Sequence, residues 1–479
     1  MSLNRRSFLK KTLAAAATVT VAGTKSSGRV LGANDVIRLG VAGLHGRGQS
    51  HVGAFAGMPG VQVTYLIDPD TRTFASRATE VQKRGGNQPR TVQDVRRALE
   101  DRNLDAISIA TPNHWHALMT VWAAQAGKHV YVEKPCSHNV KEGRIAMQTA
   151  RRHNVIVQHG TQSRSDANWA NIVEVIRSGK LGRLLIARAL VYKPRGTINV
   201  RPNSEAPKEV DFNLWLGPAP RQPFHTNLVH YNWHWFWDFG NGDIGNQGVH
   251  QMDIARWGIP GATLPRSVIA VGGRFGYADQ GQTPNTQVAL FDYGPTKLIF
   301  EVRGLRTDRY RGQGIGNVFY LEEGTIAGTQ FFPRKSIRPA PLPQVDNPVP
   351  RPSGREPHFA NFIAAIRSHR YQDLKADILE GHYSSALCHL ANISYRLGQA
   401  AAFSPGMYAF GDDKDAGDAL ERMEEHLRGN GLDLHDLRLH VGPRLEIDAR
   451  TEAIINNSEA NSMLTRNYRE GFVVPAHVS

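Results

Sequence analysis

The feature that most restricts the fold is a series of five short apolar runs between residues 36 and 160. The runs are VIRLGVAG, VQVTYLID, LDAISIAT, KHVYVEKP and VIVQHG. Short, continuous apolar runs are typical of strands buried on both faces of a parallel sheet. Segments with helical character separate them, at residues 50–57, 73–83, 92–100, 116–126 and 140–153. This alternation predicts a doubly wound parallel α/β sheet with right-handed crossovers.

After residue 160 the pattern changes to strand-like runs with few helices between them. The runs are GRLLIARALVYKP, RSVIAVGGRFGY, TQVALFDYG and TKLIFEVRG, which predict a second, α+β domain with an open, mainly antiparallel sheet. A proline-rich connector at 338–354 is followed by two segments with helical spacing. We therefore divide the chain into residues 34–160 for nucleotide binding, 161–400 for substrate binding, and a C-terminal extension, 401–479, that packs on the body.

Charge and cysteine content exclude several classes of protein. The net charge is +14, but the basic residues are scattered and no nucleic-acid motif is present, so we expect no nucleic-acid partner. The two cysteines, Cys136 and Cys388, have no spacing that indicates a disulfide framework or a zinc site.

The N-terminal segment has the features of an export signal. Arg5 and Arg6 precede Ser-Phe-Leu-Lys and a short apolar stretch, a pattern similar to the twin-arginine signal. We expect residues 1–33 to be this signal and the protein to be periplasmic or otherwise exported. No other segment reaches eighteen apolar residues, so we expect no stable membrane insertion.

The loop after the first apolar run, GVAGLHGRGQSH, resembles a dinucleotide-binding turn. Its pattern, G-x-G-x-x-G, lets backbone N–H groups approach a pyrophosphate at the start of a helix. Gly43 takes the first glycine position and Gly48 the last, whereas His45 occupies the second and Gly46 lies beside it. We expect these residues and Arg47 to bind the cofactor, although an ordinary strand–helix turn would give a similar pattern.

Asp68 closes the second apolar run, twenty residues after the last glycine of the loop. A carboxylate at this point accepts hydrogen bonds from the ribose hydroxyls and repels the 2′-phosphate of NADP. Asp68 therefore favours NAD as the cofactor, although it could also serve only to form the turn before Pro69.

Polar residues follow the third and fourth runs, in ATPNHWHA and VEKPCS. Ligands of open α/β sheets bind beyond the carboxyl ends of the strands, so these residues should face one crevice. The candidates for cofactor contact are Thr111, Pro112, Asn113, His116, Glu133 and Lys134. A metal site built on His114 and His116 is disfavoured, because no carboxylate lies near them in the sequence.

The glycine loop, Asp68, TPNHWH and especially EKP resemble the Gfo/Idh/MocA family of NAD(P)-dependent, mostly sugar-directed oxidoreductases, over roughly residues 36–400. The resemblance implies a Rossmann domain followed by an open-faced sheet that carries the substrate pocket. It also implies that Lys134 lies between nicotinamide and substrate, and that the chain forms a homo-oligomer through the open sheet.

The run NQGVHQMD is similar to a family signature of the form D-x-G-x-H-x-x-D. It places His250 one helical turn after Asn246, and Asp253 three residues further on. Asn246 replaces the first acid, and an amide cannot take a proton, so a base role moves to His250 or Lys134. His250 would titrate near neutrality unless perturbed, although it could also be a buried histidine of a helix.

We expect the sugar side of the pocket to include Gln162, Arg164, Tyr192, Trp237, His250 and Asp253. The aromatic stretch from His230 to Asp253 could be a metal site, an apolar plug or a pocket wall. Its histidines and aspartates lack zinc spacing, so a metal is disfavoured. We favour a mixed role in which some rings form core and Trp237 offers its face to a sugar.

Together these features predict an exported NAD-dependent oxidoreductase that acts on a sugar or sugar derivative by hydride transfer. An alternative is a redox-neutral glycoside hydrolase in which NAD oxidises a hydroxyl transiently and the aglycone is eliminated. A third, a sugar-binding protein without catalysis, is disfavoured by the presence of Lys134 and His250.

Overall fold

The computed structural model describes residues 36–346, 348–350, 356–403 and 409–478. The predicted export signal, residues 1–33, lies outside the described residues, as does part of the proline-rich connector.

The first domain contains a six-stranded sheet in the order β3-β2-β1-β4-β5-β6, and every pair of neighbouring strands is parallel. The strands are β1 Ile37–Ala42, β2 Val61–Ile67, β3 Arg90–Val92, β4 Ala106–Ile109, β5 His129–Val132 and β6 Val157–His159. The helices between them are α1 Arg47–Ala56, α2 Phe74–Gly85, α3 Val95–Leu99, α4 Asn113–Gln125 and α5 Val140–Arg152. The prediction of a doubly wound parallel sheet is confirmed.

Burial explains why the five apolar runs form the interior of this sheet. Every residue of β4 and β5 is buried, and in β1 only Arg38 is partly exposed. The sequence analysis missed β3, a three-residue edge strand whose first two residues are exposed. The strand order reverses between β1 and β4, which opens a crevice at the carboxyl ends of these two strands.

The second sheet has eleven strands, nine of them in the order β13-β12-β11-β7-β10-β9-β8-β15-β14, while β16 pairs with β8 and β17. The β7–β10 pair is parallel and the other pairs are antiparallel, which confirms the expected mainly antiparallel sheet. The strands are β7 Leu184–Tyr192, β8 Ser267–Gly273, β9 Thr286–Asp292, β10 Lys297–Arg303, β11 Ile315–Leu321, β12 Gly324–Ala327, β13 Gln330–Pro333, β14 Gln399–Ala402, β15 Arg438–Val441, β16 Leu445–Asp448 and β17 Ala453–Ile454.

The two faces of this sheet are covered differently. The helices of this part of the chain are α6 Ala167–Arg177, α7 Phe212–Leu216, α8 Gly242–Gly245, α9 Gly248–Gly258, α10 Pro357–Ser368, α11 Ile378–Arg396, α12 Lys414–Gly429 and α13 Ser458–Ser462. The inner face packs on α9 and α11, where Ala187, Ala189 and Val191 of β7 join Met252 and Leu387 in one apolar core. Short 3-10 turns occur at Thr71–Thr73, Gln162–Ser165, Asn232–Trp235, Tyr371–Asp373 and Leu434–Asp436.

The outer face is partly covered by the C-terminal extension. Ile269 of β8 and Ile299 of β10 pack against Leu420, Met423 and Leu427 of α12. The extension also supplies β15 and β16, which pair with β8. The same chain therefore covers part of the face through which oligomerisation was expected.

None of the helices in the described ranges combines the length and apolarity needed to cross a membrane. Cys136 and Cys388 are both buried as free thiols.

Candidate active site

A cavity of about 400 Å³ lies at the carboxyl edge of the first sheet. Its floor comes from the loops after β1, β2, β4 and β5, and its opposite wall comes from the second domain. The lining includes the following residues predicted to bind cofactor or to act in catalysis: Gly43, His45, Gly46, Arg47, Asp68, Thr111, Pro112, Asn113, His116, Glu133, Lys134, Asn246 and His250. The topology therefore brings nearly all of the predicted cofactor residues together.

The glycine loop packs too closely for larger residues at its first and last positions. Gly43 has φ +79°, and a Cβ there would lie 2.6 Å from the carbonyl oxygen of Ala110. A Cβ on Gly48 would lie 1.7 Å from the carbonyl oxygen of Gly43, so Gly48 serves helix packing and does not itself line the cavity. Gly46 has no atom within 4 Å of its Cβ position, which leaves space in front of the first turn of α1. This is the cradle that a pyrophosphate requires.

Asp68 stands at the end of β2 with 5 % of its surface exposed. Its carboxylate accepts hydrogen bonds from the backbone N–H groups of Leu44, at 2.7 Å, and Asp70, at 2.9 Å. Burial raises the pKa of Asp68 to about 6, although these two donors oppose the shift. The carboxylate is therefore fixed against the glycine loop, as a ribose acceptor must be.

Glu133 is buried between two basic side chains. Its Oε1 accepts from Arg47 Nε at 2.7 Å and lies 3.0 Å from His51 Nε2. Burial would raise the pKa of Glu133, but the hydrogen bond from His51 and the charge of Arg47 hold it well below its usual range. Glu133 therefore anchors the loop after β5 and fixes the direction of Arg47.

Two further groups after β4 face the cavity. The Thr111 hydroxyl is buried and has no hydrogen-bond partner among the described residues, so it is available to a ligand. His116 is held by the carbonyl oxygens of Pro135 and Thr111, the latter at 2.8 Å from Nε2. A metal role for His114 finds no support, because the ring packs against Trp215 and its Nε2 lies 3.0 Å from the Trp215 carbonyl oxygen.

Lys134 bridges the two domains. Its Nζ donates to the backbone oxygen of Asn246 at 3.0 Å and to Asn246 Oδ1 at 3.2 Å. Burial lowers the pKa of Lys134, and the charge of Glu133 opposes that shift. The family signature has an acid where this chain has Asn246. An ionised acid there would stabilise the protonated form of Lys134, whereas the neutral amide of Asn246 adds no such charge.

His250 lies in the first turn of α9 and faces the same cavity. Burial lowers its pKa to about 3, and the charge of Lys134 acts in the same direction. Burial is therefore the perturbation that keeps His250 from titrating near neutrality. The imidazole is neutral at physiological pH, a state in which it can accept or donate a hydrogen bond.

Residues 198–239, which we call the cover segment, supply part of the cavity wall and bond to the loop after β2. Backbone bonds join it to the loop after β2: Thr71 N–H donates to Glu209 and Asp211 N–H donates to Pro69. His230 Nε2 lies 2.7 Å from Asp70 Oδ2. The His230 ring stacks on that of His45, with centroids 4.5 Å apart and an interplanar angle of 5°. His45, at the second glycine position, thus joins the glycine loop to the second domain.

The aromatic stretch is both core and pocket wall. Trp235 and Phe236 are buried in a small core with Trp215 and Trp233, and these last two also line the cavity, as does His234. Trp237 does not line it, because its ring packs beside Tyr395 and lies 5.0 Å from the Arg396 guanidinium. The mixed role is supported, but Trp233 takes the position that we expected of Trp237.

Three other residues expected on the sugar side do not line the cavity. Arg164 and Asp253 form a buried ion pair, with Nε to Oδ2 at 2.8 Å, which Glu380 extends. Tyr192 lies on the outer face of the second sheet, where its hydroxyl donates to Glu301 Oε2 at 2.8 Å. Of the predicted substrate residues, Gln162 and His250 line the cavity.

The sequence analysis missed several lining residues. Gln93, Asp94 and Val95 follow the unpredicted strand β3 and face the end of the cavity nearest Asp68. The cover segment contributes Leu214, Trp215, His230, Tyr231, Trp233 and His234. The density of aromatic residues after His230 was the available signal, but it did not distinguish the rings that face the cavity.

No group of three or more His, Cys, Asp or Glu side chains able to hold a metal ion occurs in the described part of the chain. The donor set fits a dinucleotide instead: a glycine cradle, a fixed carboxylate at the second strand and an unpartnered hydroxyl after the fourth strand. The chain's own residues therefore suit NAD.

Two family models match the chain. The model of the oxidoreductase family with an NAD-binding Rossmann fold matches residues 37–161. The model of the C-terminal α/β domain of that oxidoreductase family matches residues 189–267. The matches fall on the two domains that form the cavity.

Curated relatives are similar over part of their length. A glycosyl hydrolase family 109 protein from Shewanella pealeana is 29% identical over 213 residues, which cover 40% of this chain and 46% of the relative. A second such protein, from Shewanella sp., is 29% identical over 209 residues, 39% of this chain and 45% of the relative. The matched part thus spans less than half of these relatives.

Solved structures share the fold. The WlbA dehydrogenase from Bordetella pertussis, in complex with NADH and UDP-GlcNAcA, has a TM-score of 0.55 at 20% identity over 76% of this chain and 96% of that chain. A levoglucosan dehydrogenase in complex with NADH has a TM-score of 0.54 at 16% identity over 74% of this chain and 96% of that chain. The two domains that form the cavity thus match the models of the Gfo/Idh/MocA oxidoreductase family over residues 37–161 and 189–267, and the solved structures share their fold.

Proposed function

We propose that this protein is an NAD-dependent oxidoreductase that acts on a sugar or sugar derivative by hydride transfer. The observation that carries the proposal is the position of Lys134. Its Nζ meets Asn246 across the domain boundary, in the same cavity as the glycine cradle and the ribose-accepting Asp68. An amine between the cofactor wall and the substrate wall is placed to hold a reacting hydroxyl.

The bound NAD would supply a hydride acceptor for the carbon that carries the hydroxyl. The chain's own residues must then hold the hydroxyl oxygen and remove its proton. The ammonium that Lys134 becomes on taking this proton donates a hydrogen bond to the oxygen and stabilises the negative charge that develops there. The cover segment is bonded to the loop after β2 and supplies part of the cavity wall.

Two groups can take the hydroxyl proton. His250 is neutral, as a base must be, but the burial that lowers its pKa to about 3 makes the imidazole a weak base. Lys134 has a pKa lowered by the same enclosure, which makes its neutral amine accessible nearer to neutral pH. We therefore assign proton removal to Lys134 and orientation of the hydroxyl to His250.

The substrate wall suits a sugar. Trp215 and Trp233 are aromatic and line the cavity, and His234 and Asn246 add polar groups beside them. Flat rings pack on the C–H surface of a pyranose while polar groups fix its hydroxyls. The names of the solved neighbours, a levoglucosan dehydrogenase among them, support this substrate class.

A second function, redox-neutral glycoside cleavage, is supported by the curated relatives and by the cover segment. A hydroxyl would be oxidised, the acidified neighbouring C–H would lose its proton, and the aglycone would leave by elimination. Addition of water and return of the hydride would restore the sugar and the cofactor. Such a cycle needs a cofactor that stays bound, and the bridge of His230 to Asp70 and His45 closes over the cleft.

The test begins with denaturation of the purified protein and identification of the released cofactor. Free sugars and aryl glycosides are then supplied with and without added NAD. Steady NADH formation that requires added NAD indicates the dehydrogenase, whereas aglycone release without net NADH indicates the hydrolase. If the protein neither binds NAD nor turns over any member of the panel, the proposal is wrong.

Export by the twin-arginine route and assembly into a homo-oligomer are further proposals. The Arg5-Arg6 pattern supports export, and retention of an Arg5→Lys/Arg6→Lys variant in the cytoplasm would test it.

A dimer that uses the second sheet must pack around α12, which covers β8 to β10. Light scattering of the purified protein would give the number of subunits.

A further inference from the structure

A second cavity, of about 370 Å³, lies on the outer face of the second sheet. Tyr192 of β7 points to this side, whereas its neighbour Val191 packs in the inner core. The cavity is bounded by β7, β10, the loop before β11 and helix α12, and residues of the active-site cavity are not among its lining. Its lining is Tyr192, Arg303, Arg306, Thr307, Asp308, Arg309, Tyr310, Arg422, Glu425, His426, Gly429 and Asn430.

The floor of this cavity holds an excess of buried positive charge. Glu301 is fully buried, and three guanidinium groups surround its carboxylate: those of Arg188, Arg303 and Arg422. Arg422 makes two bonds to Glu301, at 2.8 and 2.9 Å, and Arg303 lies at 3.2 Å. The side chain of Asp418, a second carboxylate in contact with these arginines, is 53 % exposed and lies 3.2 Å from Arg422.

The cluster around Arg164 on the inner side of the sheet provides the contrast. There, two arginines, Arg164 and Arg256, face two carboxylates, Asp253 and Glu380. That set is balanced, as buried charges usually are. In the outer cluster three cations face one buried carboxylate and one solvated carboxylate, which leaves a charge that an anion would neutralise.

The titration of the outer cluster agrees with this imbalance. Burial would raise the pKa of Glu301, but the charges of Arg303 and Arg188 outweigh it and hold the pKa at about 2. Burial lowers the pKa of Arg303, and the charges of Arg422 and Arg188 add to the decrease. Three guanidinium groups thus share the single buried carboxylate, and Arg303 also donates to the carbonyl oxygens of Val302 and Ala419.

The rim and one wall add unsatisfied donors. Arg306 and Arg309 are exposed, and no ion pair to either side chain occurs in the described residues. His426 of α12 is 6 % exposed, and its Nε2 has no hydrogen-bond partner among them. Against these groups the lining offers the carboxylates of Asp308 and Glu425.

We propose that this outer cavity is a binding site for a small oxyanion, a phosphate or a carboxylate group. Guanidinium forks match the paired oxygens of both groups, and the buried His426 Nε2 can donate a third bond in its neutral, Nε2-protonated form. The bound anion would join α12 to the strands of the sheet, because its partners come from both. The site is independent of the redox chemistry proposed above.

The experiment is calorimetric titration of NAD-saturated protein with inorganic phosphate and, separately, with malonate at low ionic strength. Saturation with NAD keeps phosphate from the glycine loop. We expect one anion per chain, with weaker binding as salt is added. The comparison of phosphate with malonate identifies which of the two groups the site prefers.

The variant Arg306→Ala/Arg309→Ala should weaken this binding at least tenfold. The matched control, Arg102→Ala/Arg152→Ala, removes two exposed arginines that do not line the cavity and should leave the affinity within twofold. Saturable binding to neither anion, or equal binding by the cavity variant, would overturn the proposal. So would a cavity variant that changes the subunit number by light scattering without changing anion affinity, because the cavity would then be an interface between copies.

Discussion

Residues of the same type lie at the amino and at the carboxyl ends of the strands of the first sheet, but they have different roles. At the amino end of β5, Lys128 is 1 % exposed and its Nζ donates to the carbonyl oxygen of Asp101 at 2.8 Å. At the carboxyl end of the same strand, Lys134 faces the cavity and reaches Asn246 of the other domain. Burial lowers the pKa of both amines. A lowered lysine pKa therefore indicates a functional site only when the lysine faces a cavity that can hold a ligand.

The same contrast holds for histidine and aspartate. His129 begins β5 and its Nδ1 accepts from Ile156 N–H, whereas His250 lines the cavity, although burial lowers the pKa of each to about 3. Asp105 precedes β4 and accepts from Arg38 N–H, whereas Asp68 follows β2 in the cavity. Residues at the amino edge should affect stability, and those at the carboxyl edge should affect binding and turnover.

The largest expected effect is that of Lys134→Met. It should lower kcat/KM by about 10³-fold, within the usual range for an acid–base group, while NAD affinity stays nearly unchanged. Steady-state kinetics and cofactor titration measure the two quantities. The control, Lys128→Met, should lower the free energy of unfolding by about 1–3 kcal/mol without lowering kcat. Equal losses of turnover in both variants would contradict the assignment of a catalytic role to Lys134 and a structural role to Lys128.

His250→Asn should lower kcat by about 10²-fold, because the amide fills the site but holds the hydroxyl less well. Its matched control is His129→Asn, for which denaturant unfolding should show lower stability and kinetics should show unchanged kcat. A wild-type kcat in the His250→Asn variant would show that His250 has no role at the reacting centre.

His230→Ala should weaken NAD binding by about thirty-fold, which corresponds to the roughly 2 kcal/mol of a hydrogen bond to a charged group. The reason is loss of the Asp70 contact and of the ring stacked on His45. Cofactor dissociation followed by fluorescence would measure it. The control Arg72→Ala removes an exposed partner of Asp70 and leaves His230 in place. If both variants release NAD at the wild-type rate, the cover segment does not retain the cofactor.

NAD affinity should fall below pH 6. Burial raises the pKa of Asp68 to about 6. In the protein without cofactor, this carboxyl group is therefore largely protonated at pH 5. Binding that needs the carboxylate should then be about tenfold weaker at pH 5 than at pH 7. Asp68→Asn should bind weakly with no such pH dependence, whereas Asp105→Asn should keep the wild-type profile. A wild-type affinity that is flat over this interval would contradict the role of Asp68.

The smallest expected effect distinguishes two tryptophans. Trp233→Ala should raise KM for the sugar by about fivefold, the order of 1 kcal/mol for an aromatic contact. Trp237→Ala should change KM by less than twofold, because the ring lies outside the cavity. A reversed order would restore the original expectation for Trp237.

The first domain was predictable because its strands are buried on both faces, so apolar runs and the turns after them follow from sequence. The short strand β3 was not, since an exposed three-residue edge has no apolar signature. The grouping of the glycine loop, Asp68 and Lys134 followed from one topological rule about strand ends.

The substrate side depended on contacts that sequence spacing does not encode. Tyr192 was placed on the wrong face of β7, although the apolar residues Ala187, Ala189 and Val191 alternate with it and mark the inner face. Arg164 and Asp253 neutralise each other across 89 residues of chain. The cover segment reaches the cavity through long-range backbone bonds to the loop after β2, and no local pattern predicts these.

The most direct test of the central claim uses a substrate with deuterium on the carbon to be oxidised. NAD-loaded protein is mixed with it in a single turnover and quenched with alkali, in which the reduced cofactor is stable, at successive times. The mass of the released cofactor is then measured by mass spectrometry. The account predicts deuterium in the cofactor of the wild-type protein, and its near absence over the same interval in Lys134→Met. Product formation by the wild-type protein without deuterium in the cofactor at any time would contradict it.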